Sequence, residues 1–276
     1  MFPPPYNFDA QNADVILRSP LEQGSDQFRD FRVHKTILSI ASIFFNDMFS
    51  LPQPPQPAAA GITLPIVEVT ESAEIFEVFL RFIYPVGPPA ITSLQLVDDL
   101  FQIADKYLAN GVQEKLKLLL TSSRSFLRDD PIWVYALACR ANFDEGAELA
   151  IPLTFKMDPV RGIPLAHLQM MTAEEYNRLL VAHDARRSLL LSAVSGTAHR
   201  PYPEKCSCGA WFYTRAERKI KFAIWERPFL DRERFDSCLP ESASRESKCG
   251  LQTCRVSEQA ISKYFTNILE EIERLG

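Results

Sequence analysis

The stretch FRVHKTILSIASIFFNDMF, from Phe31 to Phe49, changes its apolar period part-way along. Phe31-Arg32-Val33 alternates as one face of a strand does, whereas Ile37, Leu38, Ile40, Ile43, Phe44 and Met48 recur at helical intervals. The chain therefore passes from strand to helix at His34. Two short helices are expected, Lys35–Ser39 and Ile43–Phe49, broken near Ser42. Whether His34 is a working group or part of a scaffold decides whether the chain reads as an enzyme.

The elements around this joint follow from local chemistry. Asp14–Leu17 is the first strand candidate, joined to the second by the turn-rich PLEQGSDQ. PQPPQPAAAG is a proline-rich loop that neither continues a helix nor serves a ladder. Leu64–Val69 reads as a third strand. Ser72 is the expected N-cap of a helix with Ile75, Phe76, Phe79, Leu80 and Ile83 on its apolar face, ended by Pro85; the aromatic-rich stretch from Ile75 to Tyr84 reads as core, with surfacing of Phe82 and Tyr84 left open. Thr92 and Gln95 suggest a capping box for a helix with Leu94, Val97, Leu100, Phe101, Ala104 and Leu108 inward. Asn110-Gly111 is the expected stop, followed by a short helix, Val112–Leu120.

Beyond that point the pattern is helical throughout. Asp130-Pro131 is an N-cap with proline at the first helical position, ahead of Ile132, Tyr135, Ala136 and Cys139. Thr172 and Glu175 form a second capping box. Thr214 and Glu217 are expected to cap a helix carrying Ile220, Ala223 and Ile224. The last helix places Ile261, Tyr264, Phe265, Ile268, Ile272 and Leu275 on one side.

The 276 residues are 46% hydrophobic, enough for one large or two modest cores. A net charge of -5 argues against a broad nucleic-acid or anionic-membrane surface. The one basic run, Arg215, Arg218, Lys219 and Lys221, is interrupted by Glu217 and Glu226, which reads as a solvated helix face. Neither an export signal nor a membrane span is legible, so the six cysteines are expected as thiols in a reducing, cytoplasmic or nuclear setting.

With these elements in place, Phe31, His34, Lys35, Leu38, Ser42 and Phe45, followed by LPIVEVTESAEIFEVFLRFIY and LVDDLFQIADKYLANGVQEKL, resemble a BTB/POZ domain over about residues 8–121. Residues 122–195 are similar to the BACK-type helical extension, and 196–276 form a C-terminal helical region with clustered cysteines. The implied fold class is α+β and mostly α: a helical cluster capped by a small sheet, then an all-α region. The resemblance implies a non-enzymatic protein–protein interaction module. Docking onto the cullin scaffold of a ubiquitin ligase is one use, with Phe45, Met48, Leu96 and Asp98 as the nearest partner-binding matches. Asp98 stands where glutamate is more usual. Self-association as a transcriptional or chromatin cofactor is the other use, without a strand-swapped dimer, since little apolar pattern precedes Asp14. Asp14 and Lys35 match the charged pair that some transcription-repressor members place near their dimer groove, with a plain buried or rim pair as the equal alternative.

The residues show no nucleophile elbow, metal-binding histidine pair or phosphate loop, so His34 is expected to be a satisfied core histidine. An enzyme in the cysteine-rich C-terminal part is the reading from another class. Cys206, Cys208, Cys249 and Cys254 form two close pairs that could give one structural zinc four thiolates, with Cys238 and His199 as replacement ligands. The segment between the pairs is expected to bury little apolar area, which a metal would offset.

Overall fold

The computed structural model describes residues 7–22, 25–51, 64–87, 90–196, 207–239 and 258–275; at 196, 207–213 and 258–262 it describes the backbone alone. The chain forms two compact units, residues 1–147 and 148–276. The division falls inside the segment read as a BACK-like extension.

In the first unit, β1 (Val15–Pro20) and β2 (Phe28–Val33) form an antiparallel hairpin in which Val15 faces Val33 and Arg18 faces Asp30. Alternation places Val15, Leu17, Phe31 and Val33 on one fully buried face. The opposite face carries the Arg18–Asp30 ion pair at 2.7 Å. After α1 (Lys35–Ala41) and α2 (Ile43–Ser50), the short β3 (Ile66–Glu68) adds parallel to β1, so the sheet order is β2-β1-β3. On the other side of β2, Arg32 donates its N–H to the Phe8 carbonyl at 2.7 Å, and Phe8 packs edge-on against Phe31 and Tyr84.

Ser42 explains the α1–α2 break. Its amide closes α1 on Leu38 O (2.9 Å), and its Oγ accepts from Phe45 N (3.1 Å) to open α2. The same hydroxyl donates to Tyr107 O at 2.5 Å. One residue thus ends one helix with its backbone, starts the next with its side chain and ties both to the chain after α4.

The remaining helices of this unit are α3 (Ala73–Ile83), α4 (Leu94–Lys106), α5 (Asn110–Ser122), α6 (Arg124–Asp129) and α7 (Pro131–Arg140); α8 (Asp144–Thr154) crosses into the second unit. Three local expectations need correction. Ser93, not Thr92, caps α4, accepting from Gln95 N at 3.1 Å, while the Gln95 amide turns to Asp99. Asn110-Gly111 opens α5; it does not end α4. The stop is Leu108, at φ 49°: its N–H meets Asp105 O at 3.0 Å and Ala109 N–H meets Ala104 O at 2.8 Å, the double closure of a Schellman turn. Leu108 is consequently 46% exposed, not inward. Phe82 and Tyr84 are buried with the rest of the aromatic stretch, as its reading as core implies. Ser72 does occupy the N-cap position of α3, but its hydroxyl makes no capping bond. Asn142, also at φ 49°, ends α7 with the same pair of bonds. Asp130 caps α7 as expected, accepting from Trp133 N at 3.0 Å.

In the second unit, α9 (Leu165–Leu168) leads to α10 (Ala173–Gly196), whose box forms as expected: Thr172 N–H donates to Glu175 Oε2 at 2.6 Å and Glu175 N–H to Thr172 Oγ1 at 3.2 Å. Helices α11 (Ser207–Glu226), α12 (Arg232–Cys238) and α13 (Glu258–Arg274) pack with α10 around Leu190, Val194, Ile220, Ile224, Phe235, Phe265 and Ile268. Thr214 and Glu217 lie inside α11 and cap nothing. The expectation of a poor apolar core here is overturned, because four separate helices each contribute one apolar stripe to a shared centre.

His183 of α10 is 1% exposed. The single Thr154 hydroxyl proton goes to Ile151 O at 2.6 Å, so His183 Nε2 donates to that oxygen at 2.9 Å and Nδ1 is left bare. Burial, reinforced by nearby Arg187 and opposed by Asp158, pushes its pKa down to about 4.

Two outcomes follow. Ser42→Ala removes a cap and orphans the Tyr107 carbonyl, and is expected to cost about 2 kcal/mol in urea unfolding. For His183 the unfolded imidazole takes a proton near pH 6.5 while the folded one resists until about pH 4. Its contribution is therefore complete above pH 6.5 and lost as pH falls toward 4, by about 3 kcal/mol. Urea midpoints measured across that window should fall more steeply for the natural chain than for His183→Gln.

Candidate protein–protein interface

His34 sits at the end of β2 in the N-cap position of α1. Its backbone N–H donates to Tyr84 Oη at 2.7 Å; Nδ1 lies 3.3 Å from the same oxygen and Nε2 lies 3.1 Å from Asn12 Oδ1. Every polar atom of the side chain is engaged with scaffold. The residue is half-buried, however, not part of the core, because its outer nitrogen reaches the N-terminal turn. Asp14 accepts the Lys35 backbone N–H at 2.7 Å, so it serves the first turn of α1, and the Lys35 ammonium lies over the Phe49 ring at 5.6 Å. The expected charged pair is thus a helix cap beside a cation–π contact.

The four residues expected to meet a partner separate into two pairs. Phe45 is fully buried, stacked on Tyr107 at 4.9 Å and 9°. Asp98 is 4% exposed and ion-paired with Arg140, whose guanidinium also donates to Asp98 O at 3.2 Å. Both belong to the core, since an aromatic stack and a desolvated ion pair hold them inward. Met48 and Leu96 are half-buried.

The surface that sequence reasoning missed lies beside them. Ile40 is 84% exposed, Ile43 51% and Phe44 41%. Ile43 N–H meets Leu108 O at 3.4 Å, which brings exposed Leu108 alongside, and Phe44 rests edge-on against Tyr107 at 5.4 Å. Ile43, Phe44 and Leu108 therefore lie together at the surface, an arrangement that marks contact sites more than scattered single residues do, and Ile40 is exposed near the end of α1. The helical stripe of α1 and α2 was legible; that Leu108 joins it required the left-handed turn.

The cleft between Glu22, Glu71, Glu74, Asp99 and Lys106 has about 640 Å³ and is mainly polar. Glu71 accepts from Tyr107 Oη at 2.7 Å and pairs with Lys106. Burial would raise the Glu71 carboxyl, but the Lys106 and Tyr107 hydrogen bonds outweigh it and hold it below its ordinary range. Burial and then the Glu71 carboxylate push the Tyr107 phenol far up, so it stays a donor. These groups are mutually satisfied and structural.

Of the candidate zinc ligands, Cys206, Cys249 and Cys254, like His199, lie outside the described residues, and Cys208 is described only as backbone at the start of α11. Cys238 is a core thiol, 6% exposed, donating to Arg234 O at 3.3 Å, and burial pushes its pKa up. Cys139 is buried in α7 as expected. Among the described residues no helix is long and apolar enough to cross a membrane.

Phe45→Ala is expected to destabilise the first unit by about 3–5 kcal/mol. Ile40→Asp should leave stability within about 0.5 kcal/mol. Thermal unfolding of the two variants checks that the core and surface assignments are right.

No curated protein matches the chain. Residues 11–124 match the family model of the BTB/POZ domain. The strand–helix joint at His34, the three-stranded sheet and the helices α1 to α5 all fall within that span, and residues 11–124 of this chain are a BTB/POZ domain, a non-catalytic module for protein–protein contact.

Proposed function

We propose that the whole chain is a non-enzymatic adaptor. Its BTB/POZ domain contacts a cullin scaffold, and its C-terminal helical unit recruits a second protein. The observation that carries this reading is the exposure of four apolar side chains, Ile40, Ile43, Phe44 and Leu108, on this domain. Half-buried Met48 and Leu96 supply the flanking contacts that the family resemblance implies.

Self-association through the same surface, as in a transcriptional cofactor, is the second reading. It is favoured by the absence of charge among those four residues, which lets two copies meet without desolvating an ion. Pairing of Phe8–Asp9 with the chain's own β2 supports association without strand exchange. A structural zinc on Cys206, Cys208, Cys249 and Cys254 is a proposal from the sequence alone.

The expected result is capture of a purified cullin N-terminal scaffold by the full chain, reduced at least about tenfold by Ile40→Asp with Ile43→Asp. Light scattering on the same samples reads self-association. A chain that stays monomeric and captures no cullin would sink both readings.

A further inference from the structure

Helix α11 separates its residues into two sectors. Ala216, Glu217, Ile220, Ala223 and Ile224 are buried. At about 100° per residue, Arg215, Arg218, Lys219, Phe222 and Trp225 occupy the opposite sector, and all five are exposed, Phe222 at 60% and Trp225 at 64%. The stripe runs about 15 Å along the helix, with cations toward its N-terminal end and aromatics toward its C-terminal end.

The acidic residues that interrupt this run in sequence do not neutralise it. Glu217 is turned into the core, where it accepts from Tyr264 Oη at 2.5 Å. Glu226 is engaged by Arg234 at 3.0 Å. Arg218 and Lys219 have no ion-pair partner among the described residues. The expected solvated helix face is present, but Glu217, expected to dilute it, is turned into the core, and Glu226 is held by Arg234.

We propose that this stripe docks an acidic amphipathic protein segment, with carboxylates against Arg218 and Lys219 and a bulky apolar side chain against Phe222 and Trp225. The proposal rests on the adaptor reading and names the recruiting surface of the C-terminal unit. Charge complementarity selects the occupant, and exposed tryptophan beside arginine is the composition found at the centre of protein interfaces. A lipid surface fits less well, because the wide apolar sector that an interfacial helix would insert is already spent on the core. Nucleic acid fits less well because few cations face outward on a chain of net charge -5.

The test uses the full chain and a displayed library of random 16-residue peptides. Enriched peptides are synthesised and measured by fluorescence polarisation. Vesicles of phosphatidylcholine with one-quarter phosphatidylserine, and a 20-base-pair DNA duplex, are the comparison probes. The expected result is enrichment of net-acidic peptides carrying leucine, phenylalanine or tryptophan. Their affinity should fall about tenfold or more in Arg218→Glu with Lys219→Glu, and about tenfold in Trp225→Ala, with unchanged melting. Ile40→Asp with Ile43→Asp should leave peptide affinity intact, so failure of cullin capture and failure of the stripe are read separately. No enrichment, enrichment of uncharged or basic peptides, or affinity indifferent to the α11 substitutions would overturn the proposal. Binding of vesicles or duplex through the stripe without acidic-peptide binding would overturn it equally.

Discussion

Tyr107 holds the BTB/POZ unit together. Its ring stacks on Phe45 and meets Phe44, Phe76 and Phe79, so helices α2 and α3 share one aromatic centre. Its phenol donates to Glu71, at the entry to α3, and its carbonyl accepts from Ser42, at the junction of α1 and α2. One residue at the end of α4 thus supplies both apolar contact area and two directional bonds. Its polar atoms are satisfied while its ring is buried, which is the condition for placing a tyrosine in a core without a desolvation penalty.

The outer surface depends on the same residue. With Tyr107 fixed, the chain turns out of α4 through Leu108 in the left-handed region, a conformation that a leucine adopts only when its surroundings enforce it. That turn brings Leu108 to the surface beside Ile43, while Phe45, one helical position past Phe44, is drawn inward onto Tyr107. The core stack therefore sorts adjacent phenylalanines into buried and exposed roles, and the exposed apolar surface follows from the core's geometry.

The second unit is organised by a different device. Helices α10 to α13 each contribute one apolar stripe, and Glu217, the one buried carboxylate of this unit among the described residues, accepts from the Tyr264 hydroxyl. Turning Glu217 inward leaves the outward face of α11 cationic and aromatic. His183 is likewise held neutral by burial, with Arg187 nearby outweighing the opposing pull of Asp158.

The order of elements, the strand–helix switch at His34, the break at Ser42, the Asp130 and Thr172 caps and the family resemblance were all legible in the sequence. Each rests on contacts within a few residues, or on a pattern of residue types in fixed order. The fates of Phe45, Asp98, Glu217 and Leu108 were not legible. An apolar period tells that Phe44 and Phe45 lie near a core boundary, but only the position of Tyr107 decides which one crosses it. A charge count treats Glu217 as solvent-facing until Tyr264, 47 residues away, supplies its hydrogen bond. Asp98 reads as a surface acid until Arg140 reaches it across 42 residues. Sequence determined the local geometry of this protein; tertiary packing decided which side chains stay free to meet another molecule, because burial depends on partners brought from far along the chain.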